Sequence, residues 1–169
     1  EITAADLYLV FEVRQTLERT APDRVGIVKL YKGKLDIFDN FGINKQIKQA
    51  FGRQVLLPSG AYLIIEKTEA MHVIDVNSGS RKGGRNDQET NALAINVEAA
   101  KEVARLLRLR DMGGIICVDF IDLYEPENRR ILHKELKDAM ADDKAKHNVL
   151  PPSRFGVIEM TRQRVRPET

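Results

Sequence analysis

The sequence predicts a mixed α/β fold in which helices flank a mixed sheet, and two observations carry that prediction. Short segments that read as strands are separated by turn residues, and they alternate with long amphipathic stretches that read as helices. This order is typical of helices layered on a sheet. The chain has 169 residues, of which 43% are hydrophobic, so one domain or two joined subdomains can bury a sizeable core.

The first third of the chain is predicted to contain two helices and a short β segment. Thr3 is the predicted N-cap of the first helix. Apolar residues follow it at helical spacing: Leu7, Val10, Phe11 and Leu17. Residues 26–38 predict a strand or a hairpin. Residues 40–51 predict a short helix that Gly52 ends.

The rest of the chain predicts a sheet with two covering helices. Three consecutive strand candidates with turns between them predict an antiparallel meander: residues 53–58, 60–68 and 71–77. An apolar stripe at helical spacing predicts a long helix from Gln88 to Leu109. Residues 115–123 form a near-continuous apolar run, which is typical of a strand buried on both faces. A second helix over residues 126–141 and a closing strand over residues 154–165 complete the layout.

Bulk composition narrows the class of protein. Cys117 is the single cysteine, so no internal disulfide can form and a reducing cytoplasm is the expected location. No apolar run approaches the ~20 residues of a membrane span, and the chain begins without a signal peptide or an initiator Met, as expected of a piece of a longer protein. The net charge is +2, but basic residues cluster, as in Thr161–Arg166. A polyanion-binding face and solvated helix faces both fit these clusters.

Acids at the ends of apolar strands are the first candidates for chemistry. Asp75 ends one such strand, and Asp119 and Asp122 lie in another. An ionised carboxylate in an apolar setting is costly unless it is paired or binds a cation. Mg²⁺ favours oxygen ligands, often one or two carboxylates with waters and a phosphate. A structural salt bridge to Arg or Lys, or a helix N-cap, explains the same acids equally well.

The residues after Asp75 suggest a phosphate site. Asn77 points to the same side of the strand, where an amide can donate to phosphate, although turn chemistry explains it too. The loop 78–85 is rich in Ser, Gly and basic residues, so it is either an anion-binding nest or a surface loop. The motifs of zinc and serine hydrolases and the P-loop are absent from the sequence. The three histidines are far apart, so metal-activated water is the expected nucleophile of any hydrolysis.

Three long stretches together resemble the catalytic region of the ribonuclease E/G family, the bacterial endoribonucleases of RNA decay and ribosomal RNA maturation. They are IDVNSGSRKGG, ETNALAINVEAAKEVARLLRLRDMGGIICVDFIDL and SRFGVIEMTRQRVR. The resemblance implies that residues 1–50 are part of a ribonuclease-H-like structural subdomain. It implies that residues 51–169 are a deoxyribonuclease-I-like catalytic subdomain.

The resemblance also implies an activity, the cleavage of single-stranded RNA in RNA decay and in rRNA and tRNA processing. Asp75 and Asp119 match the aspartates that together hold one Mg²⁺, for which Mn²⁺ can substitute. Asn77 matches the asparagine that touches the scissile phosphate or positions the nucleophile, and Asp122 matches an accessory acid near the site. The alternative is a non-catalytic RNA-binding or scaffold fragment whose acids are paired internally.

Within the region that resembles the family, four basic residues are expected to contact the RNA backbone: Arg81, Lys82, Arg85 and Lys146. A homo-oligomer is expected of the full-length protein. The family's zinc link follows the SRFG segment as a pair of cysteines, and the printed sequence contains no such pair, so no structural zinc is expected in this chain. The family's RNA-clamping domain and its pocket for a 5′-monophosphate lie upstream of the matched region.

Overall fold

A computed structural model describes residues 1–79 and 88–165. Its contacts divide the chain into two compact units, Glu1–Lys48 and Gln49–Thr169. The mixed α/β class predicted from the sequence is confirmed by the helices and the mixed sheet. The assignment of residues 1–50 and 51–169 to two subdomains of the family stays a prediction.

The first unit is built around a short parallel pair, β1 (Ile2–Ala4) with β2 (Val28–Leu30). Between these strands run α1 and a 3₁₀ helix, and a further helix, α2, follows β2. The helices are α1 (Leu7–Thr20), the 3₁₀ helix (Pro22–Ile27) and α2 (Ile37–Asn40). The next helix, α3 (Ile43–Phe51), starts in this unit. It ends in the second.

One prediction for this unit is wrong. Asp6, and not Thr3, caps α1, because its carboxylate accepts the Leu9 N–H at 2.8 Å while Thr3 belongs to β1. Of the strand or hairpin predicted over residues 26–38, the structure has the strand, β2, after which Asp36 caps α2 by accepting the Phe38 N–H at 2.8 Å. In both places a short carboxylate side chain offers the best acceptor for free helix N–H groups.

The second unit contains a six-stranded sheet in the order β3-β4-β5-β6-β8-β7. Its strands are β3 (Gln54–Leu56), β4 (Tyr62–Lys67), β5 (Met71–Asn77), β6 (Gly114–Asp119), β7 (His147–Val149) and β8 (Ile158–Arg162). The predicted antiparallel meander of β3, β4 and β5 is confirmed. Strands β5 and β6 are parallel, and the crossover between them contains α4 (Gln88–Leu109), which has the predicted bounds. The other long helix is α5 (Pro126–Met140).

One face of this sheet forms the core with α4 and α5. Alternate strand residues and the apolar helix stripes are fully buried there: Leu63, Ile74, Ile116, Ile158, Val103, Leu106 and Leu136. The other face stays more open. On β6, Ile115 is 46% exposed and Asp119 is exposed, so the prediction of a strand buried on both faces is wrong. In the described ranges, no helix is long and apolar enough to cross a membrane.

A buried ion cluster joins three segments of the second unit. Arg162 on β8 is only 4% exposed. Its guanidinium donates to Asp143 at 2.7 Å, to Asp111 at 2.9 Å and to the Met112 carbonyl at 3.0 Å. Burial acts to raise the pKa of Asp143, but hydrogen bonds from Arg162 and from the Ala145 N–H outweigh it, and the pKa lies below its usual value. The cluster links two segments to β8: the one after α4, which contains Asp111, and the one after α5, which contains Asp143.

Candidate active site

Asp75 and Asp119 lie side by side on the open face of the sheet. They are register partners across the parallel pair of β5 and β6. Their strand neighbours Ile74, Val76 and Val118 are buried in the core, so strand alternation turns both carboxylates to the opposite face. Adjacent strands lie about 4.8 Å apart, which brings the two acids within reach of one small ligand. The structure therefore brings together two acids that are distant in sequence.

The electrostatics of this pair are unfavourable for two free carboxylates. Burial raises the pKa of Asp119, and the neighbouring charges of Asp75 and Asp122 raise it further. Among the described residues, no Lys, Arg or His forms an ion pair with Asp75 or Asp119. The internal salt bridges that the alternative interpretation needs are therefore not found in residues 1–79 and 88–165. A cation from outside would relieve the repulsion.

Asn77 orients one of the two acids. Its side-chain amide donates to Asp75 Oδ2 at 2.7 Å, and the two residues share one face of β5. This bond uses one amide hydrogen, so the second hydrogen and the amide oxygen remain for another partner. The predicted contact between Asn77 and a phosphate stays a prediction, and the position of the amide beside Asp75 is compatible with it.

The donor set fits Mg²⁺ better than a metal that needs many protein ligands. In the part of the chain that the structure describes, no group of three or more His, Cys, Asp or Glu residues could hold a metal. Asp75 and Asp119 supply two carboxylates, and Mg²⁺ is commonly bound by one or two carboxylates while waters and a substrate phosphate complete the shell. Two adjacent oxygen donors without a nitrogen or sulfur partner also disfavour zinc.

Asn96 holds the end of β6, and the sequence analysis missed it. It lies on α4 and is fully buried. Its amide donates to the Ile121 carbonyl at 2.8 Å and its oxygen accepts the Ile121 N–H at 3.0 Å. The side chain thus makes the two backbone hydrogen bonds that a neighbouring strand would otherwise make. It fixes the backbone just after Asp119. The signal in the sequence is an amide at a core position of an otherwise apolar helix stripe.

Glu89 holds the next part of the same loop. It accepts the N–H groups of Tyr124 and Glu125, both at 3.1 Å, and the side-chain amide of Asn128 at 2.9 Å. The bond from Asn128 contributes most to lowering the pKa of Glu89, and the two backbone bonds add to it. Glu89 therefore caps α5 from α4. No local sequence pattern predicts this cap, because the two helices are far apart in the sequence.

Asp122 and Lys146 are not members of the acid pair, and the remaining candidates lie outside the described residues. Asp122 is exposed in the loop after β6 and acts on Asp119 through its charge. Lys146 is exposed next to β7, where its carbonyl accepts the Gln163 N–H at 2.8 Å. That is the opposite end of the sheet, ~20 Å along the strands from Asp119. Its contact with RNA stays a prediction.

The basic loop and the histidines are the remaining groups to place. The predicted RNA contacts Arg81, Lys82 and Arg85 lie outside the described residues. His72 lies on the core face of β5 and is 8% exposed. Burial lowers its pKa, and the charges of Lys67 and Arg164 lower it further. Its imidazole lies on the opposite face of β5 from Asp75. The expectation that no histidine acts as the base stays a prediction.

Comparison with known proteins identifies the family. The profile of the Ribonuclease E/G family matches residues 1–165. Ribonuclease E of Haemophilus influenzae is 43% identical over 160 residues, which is 94% of this chain and 17% of that protein. Ribonuclease E of Escherichia coli K12 is 44% identical over 146 residues, 86% of this chain and 14% of that protein. Ribonuclease G of Haemophilus influenzae is 43% identical over 155 residues, 92% of this chain and 31% of that protein.

These relatives are much longer than the chain, which spans between 14% and 31% of their lengths. The match nevertheless extends through both compact units and includes both strand-end aspartates. Since the profile matches nearly the whole sequence, the chain belongs to the ribonuclease E/G family.

Proposed function

We propose that this chain carries the cleavage site of a Mg²⁺-dependent endoribonuclease that cuts single-stranded RNA in RNA decay and processing. One observation carries the proposal: Asp75 and Asp119 are register partners on an open sheet face, and no cationic side chain of the described residues pairs with them. The relatives are named ribonucleases, which supports RNA as the substrate. The resemblance extends the proposal to a homo-oligomeric full-length protein in a bacterial cytoplasm.

In this proposal each residue has a defined task. Asp75 and Asp119 hold the cation, and Asn77 keeps the Asp75 carboxylate turned toward it. When bound, Mg²⁺ lowers the pKa of a water molecule and offsets the charge that builds up on the scissile phosphate. The second amide hydrogen of Asn77 is available to a phosphate oxygen. Asn96 acts at one remove, because it fixes the backbone that follows Asp119.

The exposure of the acid pair agrees with a substrate that is a chain. The carboxylates lie on an open sheet face rather than in a closed pocket, so a polynucleotide can pass across them. The basic residues Arg81, Lys82 and Arg85 follow Asn77 in sequence and are proposed to contact the backbone phosphates of such a strand. Such contacts are independent of base sequence and weaken as salt rises.

Cleavage of a labelled single-stranded RNA in Mg²⁺ tests the proposal. Asp75→Asn and Asp119→Asn are each expected to slow cleavage by at least ~100-fold, because each removes one ligand of the metal that activates the water. Glu159→Gln is the matched control, since Glu159 is an exposed carboxylate on the neighbouring strand β8. It is expected to cleave within about twofold of the unaltered chain.

Either of two results would overturn the proposal. One is cleavage by Asp75→Asn or Asp119→Asn at the rate of the Glu159→Gln control. The other is an unaltered chain that fails to cleave with both Mg²⁺ and Mn²⁺, which would show that this chain does not carry the activity.

A further inference from the structure

A cavity of about 330 Å³ lies at the end of β6. Its walls are the loop after β6, the first part of α5 and the turn from Ser153 to Gly156, and Asp122 lies on its rim. A Cβ placed on Gly156 would come within 3.9 Å of Asp122 Oδ1, so the turn and the loop touch at this point. Asp122 in turn acts electrostatically on Asp119. Phe120, the residue after Asp119, also lines the cavity, so the cavity begins at the end of the strand that carries Asp119.

The turn that forms one wall has a fixed shape. The Gly156 N–H donates to the Ser153 carbonyl at 3.0 Å, and the Ser153 N–H donates to the Val157 carbonyl at 2.8 Å. Gly156 has φ +83°, a left-handed conformation that glycine adopts without strain. This is the arrangement of a tight turn followed by a bulge, and it holds two residues at its tip, Arg154 and Phe155.

Two aromatic side chains at this cavity are unusually exposed. Phe155 is 88% exposed, the largest value among the exposed large hydrophobic residues of the described ranges, and Tyr124 on the opposite wall is 73% exposed. A single exposed hydrophobic residue needs no explanation. Here both rings line one cavity. The segments that carry them are held in place by the hydrogen bonds of the turn and by Glu89. Such rings offer flat faces on which planar groups stack.

The charge of the cavity favours an anionic ligand that carries a planar group. Arg154 and Arg129 line it. Arg129 donates from Nη2 to the Tyr124 carbonyl at 2.8 Å, while its buried Nε has no hydrogen-bond partner among the described residues. Arg154 forms no ion pair with any acid in residues 1–79 and 88–165. Arg154 can therefore bind a phosphate without breaking an existing ion pair.

We propose that this cavity binds one nucleobase of single-stranded RNA by stacking on Phe155, with Arg154 meeting an adjacent backbone phosphate. The proposal rests on the proposed function, since it places the base next to the phosphate cleaved at Asp75 and Asp119. The cavity volume lies at the small end of the range for ligand sites, which suits a single nucleotide better than a helix or a folded partner. Stacking is tolerant of sequence, because every base has a π face.

The test is a titration followed by amide NMR shifts in the 169-residue chain. The two probes are penta-adenylate and a stable abasic ribose-phosphate pentamer of the same charge, both used without divalent metal so that no cleavage occurs. Penta-adenylate is expected to shift the amides of Leu123, Phe155 and Gly156, through the ring currents of the bound base. The abasic pentamer is expected to bind this cavity roughly 5- to 150-fold more weakly, the range found for loss of one base–aromatic stack.

Phe155→Leu is expected to remove that difference between the two probes. The substitution is at an exposed turn position, so folding is preserved. Phe51→Leu is the matched control, because Phe51 is also exposed and precedes β3, at the opposite edge of the sheet from the β7–β8 turn. It should leave both affinities unchanged. Arg154→Gln should weaken both probes equally, since both carry the same phosphates.

Three outcomes would overturn the base site. Equal shifts from both probes would mean that phosphate alone is bound, and no shifts at the cavity would leave the exposed rings as a surface for a protein partner instead. Unchanged discrimination in Phe155→Leu would exclude stacking on that ring. The result is separable from the proposed function, since Asp75→Asn is expected to abolish cleavage while leaving the penta-adenylate shifts at the cavity in place.

Discussion

Two pairs of aspartates in the second unit have opposite electrostatic surroundings. Asp111 and Asp143 share one buried guanidinium, that of Arg162. Asp75 and Asp119 face each other across β5 and β6 on the open side of the sheet, and the described residues offer them no cation. The pKa of Asp143 lies below its usual value and the pKa of Asp119 lies above it.

The difference separates acids that hold the fold from acids that are available to a ligand. A buried carboxylate with a guanidinium partner contributes to structure, and removing the partner leaves an uncompensated charge. Two adjacent carboxylates without a partner weaken the fold slightly and are ready to bind a cation. Raised pKa values at such sites are a general mark of functional residues. Substitutions at either pair of aspartates test this distinction.

The largest effect is expected at the closed pair. Arg162→Met should lower the free energy of unfolding by roughly 3–5 kcal/mol, because it removes the guanidinium that pairs with Asp143, whose side chain is only 3% exposed. Urea unfolding followed by circular dichroism measures the change. Arg105→Met is the control, since Arg105 pairs with Glu102 at the surface. It should lower the free energy of unfolding by less than about 1 kcal/mol. Equal losses in the two variants would contradict the structural role assigned to Arg162.

The smallest effect is expected at the open pair, with the opposite sign. The pKa of Asp119 is raised above its ordinary 3.8, so between the unfolded and folded pKa values the folded chain binds more protons than the unfolded chain. Stability is therefore lost as pH rises through that window, and the loss persists at neutral pH. In metal-free buffer at pH 7, Asp119→Asn should raise the free energy of unfolding by roughly 0.2–1 kcal/mol, by relieving cross-strand repulsion.

The pH dependence provides the control for this prediction. Below the unfolded pKa the Asp119 carboxyl is protonated in both the folded and the unfolded chain, so the unaltered chain and Asp119→Asn should have equal stability there. Asp143 behaves in the reverse way, because its lowered pKa contributes stability above the unfolded value that is lost as pH falls through the folded one. A destabilised Asp119→Asn at pH 7 would show that Asp119 is held by a cation of the chain itself.

Sequence reasoning predicted best the elements with a strong local pattern. The bounds of α4 follow from its apolar stripe, and the meander follows from the turn residues between its strands. The two site aspartates stand at the ends of apolar strands, which is visible in the sequence, and the resemblance to the family assigns them a metal. Their direct register follows from the parallel pairing of β5 and β6, which no local pattern specifies.

Contacts that join distant segments could not be predicted. Arg162 lies in a basic cluster that suggested a polyanion-binding or solvated face, but its guanidinium is buried between two acids that lie far away in the sequence. Asn96 and Glu89 likewise act on the loop after β6 from another helix. A charged or amide side chain in a single sequence does not reveal its partner, because that partner is chosen by tertiary packing.

Calorimetric titration of the unaltered chain with Mn²⁺ tests whether Asp75 and Asp119 share one metal ion. Mn²⁺ takes the place of Mg²⁺ at oxygen sites and binds such ligands more tightly. The account predicts one site in the unaltered chain and in the Glu159→Gln control, and its loss in Asp75→Asn and in Asp119→Asn. Absence of binding to the unaltered chain, or binding that survives in both asparagine variants, would contradict the claim that these two acids share a metal.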